Sequence, residues 1–95
     1  MTSYQPTHWV DLDVVLEPGE SLDTAGRDVI ARAGQIGAVT FQVAQEHGPA
    51  GGNPLFVFTG SEDAVTAVAR SHVDDDDEFD ALVREGMIVV APVGA

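Results

Sequence analysis

The hydrophobic period of this sequence switches from two residues to three or four and back, twice over, and that restricts its fold more than any other feature. Residues 8–16 (HWVDLDVVL) alternate, with Val10, Leu12, Val14 and Leu16 on one side and Trp9, Asp11, Asp13 and Val15 on the other. A two-residue period is that of a half-buried strand, and Pro18-Gly19 ends it with turn residues. Over residues 21–33, Leu22, Ala25, Val29, Ala33 and then Ile36 recur at helical spacing and make one apolar stripe. Glu20, Asp23 and Asp28 lie toward the start of this helix and Arg32 in its last turn, the order that the helix dipole favours. Gly34 is placed as its C-cap.

The pattern then repeats. Residues 38–45 (AVTFQVAQ) alternate with Val39, Phe41 and Val43 on one face, and residues 55–59 (LFVFT) are apolar almost throughout. The glycine-bearing stretch 48–54 between them reads as a hairpin connection of more than minimal length. Ser61 is placed to cap a second helix, with Glu62 and Asp63 in its first turn and Ala64, Val65, Val68 and His72 on its inner stripe. An acidic run, residues 74–80, interrupts, and a short helical turn with Phe79, Leu82 and Val83 follows, ending at Gly86. Residues 87–93 (MIVVAPV) read as the last strand, and Pro92 puts it on an edge.

The order β-α-β-β-α-β predicts an α+β fold of the ferredoxin-like sandwich type. It has an antiparallel sheet, two helices on one face and an extra acidic turn before the last strand. The 95 residues suit a single domain. Hydrophobic residues make up 44% of the chain and aromatic ones only 6%, so the core is aliphatic. Residues 55–58 and 87–90 are apolar at every position, which would leave grease on the sheet face that the helices do not cover. A second copy packed on the sheet, or added at its edge, would remove that face from water. A homodimer through the sheet is therefore expected; the alternative is that Phe79 or the N-terminal arm with Tyr4 and Trp9 folds over it.

Charge limits the partners. Sixteen acidic side chains face four arginines (Arg27, Arg32, Arg70 and Arg84), with no lysine, for a net charge of −12. Such a field repels nucleic-acid phosphates and anionic membranes, so neither is an expected partner. Solubility in an arginine-preferring genome, adaptation to high salt and a surface for a basic partner all remain compatible with it. There is no cysteine, hence no disulfide and no thiolate chemistry. No apolar run approaches the length of a membrane span, and the first seven residues lack the pattern of a signal peptide, which makes the cytoplasm the expected compartment.

No catalytic or metal signature emerges. Counted from Asp74, residues Asp76, Glu78 and Glu85 fall at EF-hand ligand positions, but Phe79 stands where that loop needs glycine. His8, His47 and His72 lie on three separate elements without ligand spacing. Asp11 and Asp13 share a strand face, roughly 7 Å apart, as acid–base pairs and as ordinary solvent-facing carboxylates both do. The glycine loop lacks the lysine of a phosphate loop and leads into a strand rather than a helix. No serine sits in a nucleophile elbow. No cofactor and no catalytic residue is expected.

The run Pro18-Gly19-Glu20-Ser21-Leu22, the following helix, Gly37 before the second strand and the apolar third strand together resemble the ACT domain, a small ligand-sensing module of metabolic regulators. The resemblance spans residues 9–71; the acidic stretch 74–85 lengthens the last connection beyond the usual form. It implies an oligomer that binds a small ligand, often an amino acid, between subunits, with Gly19, Glu20, Gly37 and Ala38 offering backbone groups. The expected function is thus a non-enzymatic, ligand-binding or regulatory homo-oligomer. An acidic module for a basic protein, or an enzyme using the open sheet face, are the alternatives.

Overall fold

The computed structural model describes residues 7–46 and 53–93. His47, most of the glycine-bearing loop and the N-terminal arm with Tyr4 lie outside them. Seven elements follow one another: β1 (His8–Asp13), α1 (Leu22–Arg32), β2 (Val39–Gln45), β3 (Leu55–Gly60), α2 (Glu62–His72), α3 (Asp76–Arg84) and β4 (Ala91–Pro92). The four strands form one antiparallel sheet in the order β2-β3-β1-β4, so the described residues make an α+β fold with three helices.

Local chemistry sets the boundaries. The Glu20 amide donates to the Glu17 carbonyl at 2.9 Å, closing a turn around Pro18-Gly19 in which Gly19 has φ +82°. Proline followed by a positive-φ residue is the type II pattern. Ser21 and Ser61 cap α1 and α2, their hydroxyls accepting from Thr24 and Ala64 amides at 3.1 and 3.2 Å. After α1 the Gly34 and Gln35 amides return to the Ala31 and Ile30 carbonyls, at 3.0 and 3.1 Å. Those two bonds make a Schellman cap, with Gly34 at φ +72°.

Period-two alternation decides what the sheet buries. Val10 and Leu12 pair with Phe58 and Phe56, which pair in turn with Phe41 and Val43. This face meets α1 through Ala25, Val29 and Ile30, and α2 through Ala64, Val65, Val68 and Ala69, in one core. The rings of Phe41, Phe56 and Phe58 lie 5.8–6.1 Å apart, with Phe56 and Phe58 fully buried and Phe41 at the margin. The opposite face carries Trp9, Leu55 and Val57, all half-buried, interleaved with Asp11, Asp13, Thr40, Gln42 and Thr59.

Three expectations are corrected. The acidic run is no mere interruption: Asp75 caps α3, its carboxylate accepting from the Asp77 amide at 2.8 Å. Asp76, Asp77 and Glu78 fill the first turn, where the dipole favours negative charge. What read as a short turn is therefore a nine-residue helix. Second, the last strand is two residues long rather than seven. Gly86, at φ +77°, ends α3 with the same cap, and the Met87 and Ile88 amides both donate to the Leu82 carbonyl at 2.8 and 3.2 Å. Residues 87–90 are thereby kept out of the strand ladder. Third, Ile36 does not extend the stripe of α1. The cap at Gly34 turns the chain away, and Ile36 is 80% exposed.

Candidate functional site

An open cleft of about 590 Å³ lies between α1 and the edge strand β2. Ile30 and Ala31 of α1 form one wall, Val39 and Phe41 of β2 the other, and Ile36 stands at the mouth. Beside the cleft, glycine at position 26 lets helix and strand approach closely, since a methyl group there would run into the Phe41 ring. Asp23 and Arg27 line the outer rim as an i,i+4 ion pair at 3.0 Å, both largely exposed. Thr40, whose side chain belongs to the other sheet face, also borders the cleft. The cleft is apolar with a polar rim, as small-molecule sites generally are.

The four residues implied by the resemblance fall in two places. Gly37, at φ +82°, lines this cleft, and Ala38 follows it, its amide donating to the Gln35 carbonyl at 2.9 Å. Gly19 and Glu20 lie beyond the other end of α1, a helix roughly 16 Å long. There Glu20 borders a polar notch of about 220 Å³ with Glu17, Asp28, Arg32 and His72. Its carboxylate accepts from the Glu17 amide at 3.2 Å. Within one chain, therefore, Gly19 and Glu20 do not meet Gly37 and Ala38.

The titratable candidates are likewise dispersed. His8 is buried at the start of β1, with Nε2 3.0 Å from the exposed Glu62 carboxylate. His72 ends α2 near the other end of β1, its Nε2 2.8 Å from the Asp13 carbonyl. The strand between them spans roughly 17 Å. Asp11 and Asp13 share the open face as alternation requires. Residues 74–80 of the acidic run pass into α3, incompatible with a wrapped cation loop. Among the described residues no three histidine or carboxylate side chains converge as a metal site would require.

Sequence reasoning missed the cleft because its two walls, Ile30 and Ala31 on a helix and Val39 and Phe41 on a strand, belong to separate elements whose packing no local pattern records. Ile36 read as the end of the α1 stripe, and its exposure follows from the turn at Gly34. Gly26, a glycine mid-helix that costs about 1 kcal/mol against alanine, was the one local sign that another group approaches closely there. No helix among the described residues is long and apolar enough to cross a membrane. Comparison with protein families, with characterised proteins and with solved structures finds no match for this chain.

Proposed function

We propose that this chain is a non-enzymatic, homodimeric domain that binds a small molecule in the α1–β2 cleft. The observation that carries the reading is the cleft itself, about 590 Å³, within the roughly 300–1,000 Å³ of small-molecule sites. A ferredoxin-like sandwich is the architecture proposed with it. The strand order, the antiparallel pairing and the packing of α1 and α2 on one face support that assignment, with α3 added before β4.

The dimer reading rests on β2. Its seven residues, VTFQVAQ, carry no charge, in a chain whose net charge is −12. Edge strands that stay single are usually guarded by charge or proline; here only a bulge between Val43 and Gln45 interrupts the ladder. Two copies joined along β2 would bring together the least repulsive part of each. Such a junction would also extend the wall of the cleft beyond Val39 and Phe41. An ACT-like arrangement would go further and set Gly19 and Glu20 of one copy near Gly37 and Ala38 of the other, which α1 keeps apart within one chain.

Light scattering should give a dimer that persists in high salt. A melting screen against amino acids and other small metabolites should find a stabilising ligand. Ile36→Glu, at an exposed position, should change folding stability by less than about 0.5 kcal/mol, lower the dimer fraction and weaken the ligand's stabilisation. A chain that stays monomeric at every concentration rules out the dimer; a dimer that no small molecule stabilises rules out the ligand site.

A further inference from the structure

The opposite edge of the sheet is incompletely paired. In an antiparallel ladder the peptide groups of alternate residues point to the same neighbour. The Thr7 carbonyl accepts from the Val93 amide at 2.7 Å, so the odd-numbered residues of β1 point toward β4. The Val14 amide donates to the Pro54 carbonyl at 3.1 Å, so the even-numbered ones point toward β3. Yet β4 pairs only with His8 and Trp9. The amide and carbonyl of Asp11 and the amide of Asp13 therefore face outward with no strand across them among the described residues. The Asp13 carbonyl faces the same way and is met by the His72 ring at 2.8 Å.

Continuing the register of β4 would set Val89 opposite Asp11 and Met87 opposite Asp13. The cap of α3 prevents it by holding the Met87 and Ile88 amides on the Leu82 carbonyl. The divergence opens a groove of about 420 Å³ along the bare edge, lined among others by Asp11, Asp13, Leu55, Leu82 and Met87.

We propose that this edge accepts an extended segment of a basic partner protein as an added strand, independently of the α1–β2 cleft. Strand addition suits an edge that offers unpaired peptide groups beside a groove. Charge selects the occupant. Alternate side chains of an added strand would stand beside Asp11 and Asp13 on the open face, and the others would turn toward Leu82 and Ile88. Lysine or arginine alternating with small apolar residues meets both demands. A second copy does not, because its own β1 would set Asp11 and Asp13 against the same two carboxylates.

The test uses the full chain, isotope-labelled, titrated with an eight-residue peptide that alternates lysine with valine or threonine. Saturable binding should shift the Asp11 and Asp13 amide resonances and protect them from hydrogen exchange. Asp11→Asn with Asp13→Asn should weaken binding about five- to tenfold, as loss of two cross-strand ion pairs implies. A peptide N-methylated on the amides that would face β1 should not bind, whereas methylation on the alternate amides should be tolerated. Shifts centred on α3 or on the α1–β2 cleft would overturn the proposal, and so would unaltered affinity in the double variant. Protection of the Asp11 and Asp13 amides in the free protein would overturn it too, since residues 87–90 or a second copy would then already occupy the edge.

Discussion

Two glycines show how a single position trades backbone freedom against packing. Gly26 has ordinary helical geometry but no room, because Phe41 occupies the space where a methyl would go. Gly34 has nothing within 4 Å of that position but sits at φ +72°. Alanine at Gly26 would gain about 1 kcal/mol of helix propensity and lose about 1–3 kcal/mol to overpacking. Gly26→Ala should therefore destabilise modestly, by about 1 kcal/mol, and push Phe41 into the cleft. Gly34→Ala should cost about 1–2 kcal/mol through backbone strain alone and leave the cleft's affinity for ligand unchanged. Denaturant melts and ligand titrations of both variants separate the two mechanisms; equal effects on ligand affinity would contradict this account. Val10, Val65 and Val68 were legible as core residues because alternation or helical spacing pointed them inward. Residues 55–58 are apolar throughout, and only pairing with β1 decided that Phe56 and Phe58 face the core.

At the level of elements, β1, α1, β2, β3 and α2 could be read from sequence: alternation marked β1 and β2, an apolar run β3, and helical spacing with capping residues α1 and α2. Ser61 before Glu62 and Asp63 is a helix start in sequence and in structure. Two elements departed from their local signal, and α3 explains both. Its acidic residues looked like an interruption, although Asp75 and the three carboxylates after it favour a helix N-terminus. Asp75→Ala should cost about 1 kcal/mol, and hydrogen exchange should quicken in α3 before it does in α1 or α2. Asp75→Ser should retain most of the protection. Uniform quickening across all three helices would show that α3 does not open separately. Residues 87–90 have strong strand propensity, but the α3 cap takes the Met87 and Ile88 amides, and tertiary context overrides propensity.

The molecule as a whole carries its charge on the outside. Asp23–Arg27 and Asp28–Arg32 are exposed ion pairs at 3.0 and 3.4 Å, of the kind that contribute little individually. Twelve excess negative charges remain, and folding brings them closer together. Added salt should therefore stabilise the fold: melting temperature should rise by several degrees between roughly 0.05 and 0.5 M sodium chloride, as the screening length shortens. A fall over that range would mean that attractive pairs outweigh repulsion. Sequence alone determined the α+β class, the core faces of β1, α1 and α2, the helix boundaries at Gly34, Ser61 and Gly86, and the sign of the field. Each of these depends on residues a few positions apart and on the two periods of the backbone. The α1–β2 cleft, the separation of Gly19 and Glu20 from Gly37 and Ala38, and the bare edge of β1 were decided by tertiary structure. They arise where distant segments either meet, as Gly26 meets Phe41, or fail to meet, as residues 87–90 fail to reach Asp11 and Asp13. No local pattern records the outcome of that competition for space and hydrogen bonds.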